Sequence, residues 1–216
     1  MTGWMRGEPA AVGNRPGAPP VAAFFDVAEV LQAAGLSVPP GWQAVDRRRA
    51  SHDGRAVTVV RWAPGAERTL GGQHVSVVVD DLGVLLGWTR MTPEVADRPI
   101  PDAEQARAAA FGWLAGFASE HARALEVLWV RQHDETVRDD RGVRSLIRGA
   151  KVKTRQADGR YTWVVMDGRD AVLTYERDVR WDGVAGRRGT EMWLHDSWVA
   201  AREGSGPQPP APYALV

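Results

Sequence analysis

Cysteine is absent from all 216 residues of this chain. That excludes a disulfide, a thiolate nucleophile and any cysteine-ligated zinc or iron–sulfur site. Lysine occurs only at Lys151 and Lys153; the remaining positive charge is arginine, the bias a GC-rich coding sequence produces. Basic and acidic residues balance at 27 each, so no net field concentrates nucleic acid or an anionic membrane. No apolar run approaches the roughly 18 residues of a membrane span, and residues 1–20 lack the apolar core of a secretory signal. The expected location is the cytoplasm, with neither a nucleic-acid nor a membrane partner. Catalytic signatures are missing too. Gly71-Gly72 and the glycines of 183–189 lack the Lys-Ser/Thr ending and the strand-to-helix setting of a phosphate loop. No G-x-S-x-G elbow accompanies the neighbours His195, Asp196 and Ser197, which argues against hydrolysis.

What is present is a globular composition, 44% hydrophobic and 25% charged, in a chain long enough to bury a substantial core. It also carries an internal echo at a spacing of 87. Trp42 falls on Trp129, Arg61 on Arg148, Gly72 on Gly159, Val77 and Val78 on Val164 and Val165, Asp80 on Asp167, Leu86 on Leu173 and Arg90 on Arg177. A long self-similar period points to a duplicated supersecondary unit, which predicts architecture better than activity.

Local patterns fill in that unit. Phe24, Val27, Ala28, Leu31 and Ala34 stand at helical spacing, with Gly35, Pro39 and Pro40 closing the segment. Asp102 and Gln105 form a capping-box pattern ahead of the apolar stripe Ala106, Ala110, Trp113, Leu114 and Phe117. Gly112 and Gly116 cost helix propensity, so close packing against a sheet is expected there. Four extended segments follow each helix: 42–49, 55–63, 73–80 and 84–91, then 126–133, 143–154, 160–167 and 171–180. Asp158-Gly159 and Asp167-Gly168 supply hairpin turns, and the alternation from Tyr161 to Met166 reads as a strand covered on both faces.

The expected fold is α+β, two repeated helix-plus-antiparallel-meander (αββββ) units packed together. Residues 1–22 form a flexible arm, 23–92 and 93–180 the two units, 181–202 an aromatic closing segment and 203–216 a Pro-rich tail that reads as loose as the arm.

The run Gly72-Gln73-His74-Val75-Ser76-Val77-Val78-Val79-Asp80, its turn, and Gly83-Val84-Leu85-Leu86-Gly87 resemble the PepSY-like modules found in tandem in YcdB/YcdC-type proteins. The helix carrying Glu104, Ala106, Ala109 and Ala110 is similar to the alanine-rich helix that opens such modules. The resemblance covers about residues 23–180. It implies a noncatalytic interaction or regulatory module and carries over no catalytic residues; related modules are usually exported or membrane-attached, whereas no export signal is read here.

Chemistry concentrates in 190–198. Were this stretch helical, Glu191 and His195 would lie one turn apart, a spacing for an acid–base pair or two metal ligands; were it a strand, Glu191, Trp193, His195 and Ser197 would share a face. Two ligands do not make a site, so no metal and no cofactor are expected. Glu191, His195 and Tyr161 are the candidates for proton transfer. Ten tryptophans could wall a pocket, with Trp88, Trp163, Trp193 and Trp198 as candidate ligand contacts. The leading expectation is a noncatalytic binding or regulatory protein with a protein or peptide partner. The alternative is a small-molecule-binding protein or cofactorless enzyme of specialised metabolism with a Trp-lined pocket.

Overall fold

The computed structural model describes residues 25–216; the proposed arm and Phe24 lie outside them. Helix α1 (Val27–Ala33) opens on the Asp26 side chain, which accepts the Ala28 N–H at 2.9 Å, and the chain leaves it at Gly35 with φ +64°. Strands β1 (Gln43–His52), β2 (Arg55–Ala63), β3 (His74–Asp80) and β4 (Leu85–Met91) follow. A single 3₁₀ turn (Pro93–Val95) then leads to α2 (Ala103–Phe117) and α3 (Ser119–Arg123). The expected capping box forms in full: Asp102 Oδ1 accepts the Gln105 N–H and Gln105 Oε1 accepts the Asp102 N–H. The second run comprises β5 (Glu126–Arg138), β6 (Arg144–Arg155), β7 (Tyr161–Met166) and β8 (Val172–Val179). A two-residue hairpin, β9 (Trp181–Asp182) and β10 (Arg187–Arg188), and helix α4 (Asp196–Arg202) complete the order.

The eight long strands make one antiparallel sheet in the order β1-β2-β3-β4-β8-β7-β6-β5. Its middle is the β4·β8 seam, where Gly87 faces Glu176, Trp88 faces Tyr175 and Thr89 faces Thr174. The spacing of 87 recurs in the register. The β3·β4 ladder bulges between Val78 and Val79, and the β7·β8 ladder between Val165 and Met166. Asp80 Oδ1 accepts the N–H groups of Leu82 and Val84, as Asp167 Oδ1 accepts those of Arg169 and Ala171.

Elsewhere the spacing slips, because the loops differ in length. The bulges at Ala44/Asp46 and Val127/Trp129 lie 83 positions apart, and Val60 and Val152, which pair with Val77 and Val164, lie 92 apart. The Trp42–Trp129 match in the sequence is therefore a correction. Trp42 precedes β1 and packs on the helix-side core, whereas Trp129 lies in β5 with Arg131 and Lys153 against its ring. The longer β5–β6 hairpin also reaches back across the molecule: the Arg138 N–H donates to Gly71 O at 3.0 Å, and Gly72 and Arg138 form a parallel bridge.

Helices α1 and α2 cover one face of the sheet. Val27 and Leu31 of α1 and Ala106, Ala110 and Leu114 of α2 pack on Val60, Val77, Trp88, Val164 and Tyr175. Trp113 donates its indole N–H to Ala34 O at 2.7 Å and sets its ring edge-on to Tyr175 at 5.0 Å. Gly112 and Gly116 do not sit at this contact. A Cβ at either would meet nothing within 4 Å, so they lie on the open side of α2.

The other face has two apolar clusters, Val57, Val59, Val78, Leu86 and Leu194 on one side and Met91, Val95, Val137, Ile147, Val165 and Leu173 on the other. The polar centre between them is roofed by the closing segment. That segment is neither the helix nor the strand considered above: it runs as a turn through Trp193 and Leu194, and α4 starts only at Asp196. The tail is packed as well. Ala214 is buried beside Met192 and Trp198, Pro212 O accepts the Arg188 N–H, and Leu215 O accepts the Trp198 indole N–H. Tyr213-Ala214-Leu215 supply an apolar anchor that a reading of the prolines alone overlooks. Among the described residues no helix is long and apolar enough to cross a membrane.

Candidate functional site

Strand alternation, continued across β2, β3, β4 and β8, puts Arg61, Ser76, Thr89 and Thr174 in one row on the face opposite α1 and α2, with Glu176 one row away. The hydroxyls of Thr89 and Thr174 meet at 3.0 Å on the floor of a cavity of about 180 Å³. His74 from β3, Glu135 from β5, and His195, Asp196 and Tyr213 from the closing segment and tail form its walls. On the scale of 30 Å³ per liquid water this holds about six waters, well below the space a drug-sized ligand fills.

Two ion pairs, one half-buried and one buried, set the walls. Arg61 donates to both carboxylate oxygens of Asp196, at 2.6 and 3.0 Å, and to Thr69 O at 2.9 Å; Asp196 Oδ2 also accepts the Gly71 N–H at 2.5 Å. Burial alone would raise the Asp196 pKa, but these donors hold it below the usual carboxylate range. Glu176, 3% exposed, accepts from Trp163 Nε1 at 3.1 Å and His195 Nε2 at 2.8 Å through Oε1, and from Arg188 Nη1 through Oε2. Burial pushes its pKa up, yet Arg188 and His195 bring it well below the ordinary value. Glu176 is thus an ionised acceptor. It fixes the proton on His195 Nε2, which leaves Nδ1 of a cavity-lining imidazole for exchange with a ligand.

His74 supplies a complementary group. Its Nδ1 lies 2.8 Å from Gly72 O, and because a carbonyl only accepts, Nδ1 carries the hydrogen. Burial lowers its pKa to about 4, so at neutral pH Nε2 is a bare acceptor. That atom is buried and has no partner. Glu135 adds a carboxylate: burial works to raise its pKa, but the hydrogen bond from His133 Nε2 at 3.0 Å and the neighbouring His195 bring it below its usual value.

Of the residues proposed for proton transfer or ligand contact, His195 alone lines the cavity, with its neighbours Asp196 and Ser197 beside it. Glu191 is turned away, with Oε2 accepting the Asp53 N–H at the β1–β2 turn at 2.8 Å. Tyr161, at the start of β7, lies under Lys153 Nζ at 4.4 Å. The expectation of a Trp-lined pocket is corrected for this cavity, because the four indoles serve the framework. Trp88 is 1% exposed on the helix side and donates to Val172 O. Trp163 supports Glu176; Trp193 donates to Ser51 O and stacks edge-on with Trp198 at 5.0 Å. His74, Glu135, Glu176 and the Arg61–Asp196 pair escaped sequence reasoning. The usable signal was a charged residue inside an apolar strand, Arg61 after Val59-Val60 and Glu176 after Leu173-Thr174-Tyr175. Among the described residues no three His, Asp or Glu side chains gather as a metal site.

The buried imidazoles predict a pH dependence. Burial lowers the pKa values of His52, His74 and His121 from 6.5 to about 4. The unfolded chain protonates first, so the stability they contribute is complete above pH 6.5 and is lost between 6.5 and 4. The depressed carboxylates Glu176 and Asp196 extend the loss to lower pH. The urea midpoint is expected to be level above pH 7 and to fall steadily below 6.5; a midpoint unchanged between pH 7 and 4.5 would contradict this. Comparison of the chain with protein-family models, with curated proteins and with solved structures gives no match.

Proposed function

We propose that this protein binds a small polar molecule in the cavity on the sheet face opposite α1 and α2, with His195 as the group that exchanges a proton with it. The observation carrying this reading is that His74, whose buried Nε2 has no partner, lines one cavity together with Glu135 and the Glu176-anchored His195. An acceptor that burial leaves unsatisfied costs about 1–3 kcal/mol, and a ligand N–H or O–H placed there recovers it. The test is a calorimetric screen of polar metabolites no larger than the cavity. A ligand found this way should bind His74→Ala and Glu135→Gln at least about tenfold more weakly, one lost hydrogen bond each, while both variants keep the wild-type circular dichroism. Unchanged affinity in both would remove the assignment.

A second reading is a noncatalytic, cytoplasmic binding or regulatory protein, with a protein or peptide partner, made of two PepSY-like units. Duplication is supported by the two bulges and two aspartate-capped turns at a spacing of 87, and by Trp88 facing its own counterpart Tyr175 across the seam. An extended peptide could add to β5, an edge strand of thirteen residues. Affinity capture that returns no stoichiometric partner, alongside a ligand for the cavity, would decide for the first reading.

A further inference from the structure

The lining of the cavity has a sign of charge and a hydrogen-bonding bias that discriminate among small polar molecules. Among the described residues no lysine or arginine lines it, whereas two carboxylates, Glu135 and Asp196, do. The arginines behind its walls are committed. Arg61 turns both Nη groups to Asp196, and Arg188 donates to Glu176, Thr190 Oγ1 and Glu191 O. Asp196 is filled in turn, with donors on both oxygens. Glu135 is not: Oε1 accepts from His133 Nε2 at 3.0 Å, its one ion-pair partner among the described residues, and Oε2 accepts from none of them.

Glu135 Oε2 is one of three unfilled lining atoms that accept and do not donate. The second is Nε2 of His74, a residue 4% exposed; its Nδ1–H is spent on Gly72 O, and Nε2 is left without a partner. The third is Nδ1 of His195, whose proton Glu176 holds on Nε2. On the floor, one of the Thr89 and Thr174 hydroxyls donates to the other, which leaves a single O–H of that pair to donate. Resting on the reading that this cavity is the binding site, we propose that its ligand is a small organic cation with several N–H donors, an amidinium or a primary ammonium, held with its charge beside Glu135.

The other classes fit less well. A carboxylate would meet Glu135 and Asp196 with no free cation to receive it, and it has no proton for the three acceptors. A neutral amide could donate to His74 but would leave Glu135 without a counter-charge. A bare metal ion lacks its ligand set, since no three His, Asp or Glu side chains gather among the described residues. An N–H-bearing cation makes a charge-assisted hydrogen bond to Glu135, roughly twice as strong as a neutral one, and donates to His74 Nε2 and His195 Nδ1 as well. Met91 and Leu194 give the cavity an apolar side for a short alkyl group. Its volume of about 180 Å³ limits the whole ligand to about six non-hydrogen atoms.

Acetamidinium, acetamide and acetate share one heavy-atom skeleton and differ only in charge and donors; isopropylammonium replaces the planar fork by a point charge. Each is titrated into the full chain near neutral pH and followed through the ring resonances of isotope-labelled histidine, which report on His74 and His195 directly. The tighter of the two cations is expected to bind at least about tenfold more strongly than acetamide, and acetate not at all; which cation is tighter separates amidinium from ammonium. Glu135→Gln should bring the cations down to the level of acetamide and leave acetamide unchanged. The wild-type ranking decides by itself if that variant folds poorly. Acetamide or acetate binding as tightly as the cations, or cations that keep their advantage in the variant, would overturn the proposal and leave the cavity standing as the site. Histidine resonances that move with none of the four probes would remove the cavity reading along with it.

Discussion

Glu176→Ala is expected to destabilise the protein by about 3–5 kcal/mol, seen as a lower urea midpoint with an unchanged slope. The carboxylate and its partner Arg188 are each 3% exposed. Removing the acid leaves a guanidinium held by Thr190 Oγ1 and Glu191 O but without its counter-charge in a site closed to water. It also frees the Trp163 and His195 N–H groups that Oε1 accepts. The cost thus falls on what remains, not on the net worth of the pair. Glu176→Leu combined with Arg188→Met should accordingly recover much of the loss, because an apolar replacement of a buried pair is often close to neutral. A single variant within 1 kcal/mol of wild type would mean that water reaches Arg188.

Trp88→Ala should cost about as much, 3–5 kcal/mol, for a different reason. Its indole is one of the two largest fully buried side chains, with that of Trp198, and sits at the β4·β8 seam opposite Tyr175, donating to Val172 O at 3.3 Å. The change leaves a cavity under both helices and an unpaired carbonyl in the second run. Trp193→Ala provides the contrast, since that ring is only partly covered and its loss should cost much less. Equal losses in the two variants would place the main core elsewhere than the seam.

The sheet was legible in the sequence because hairpin chemistry is local. Asp-Gly turns, alternation from Tyr161 to Met166 and the Asp102/Gln105 cap each act within a few residues, and six of the eight strands fall within a residue of the expected limits, while β1 and β5 run on beyond them to His52 and Arg138. Loop lengths were not legible. The β2–β3 connection is longer than β6–β7 and the β5–β6 connection longer than β1–β2, so a fixed offset matched Trp42 to a residue on the other face. The candidate site was hidden for a related reason. His74, Glu135, Glu176 and His195 come from three strands and a turn and converge only once the sheet is assembled and roofed. Tryptophan content says nothing of direction, and the four indoles picked as ligand contacts face framework carbonyls, a carboxylate or one another.

Only three residue pairs join β4 to β8, yet Trp88 and Tyr175 lie beneath that join and Glu176 above it. Neither four-stranded piece would be content by itself in water: one would bare an indole, the other a phenol ring and a carboxylate stripped of His195 and Arg188 by any loosening of the roof. The four-plus-four layout therefore behaves as one cooperative body, and a chain severed between the runs would yield fragments that must find each other to fold.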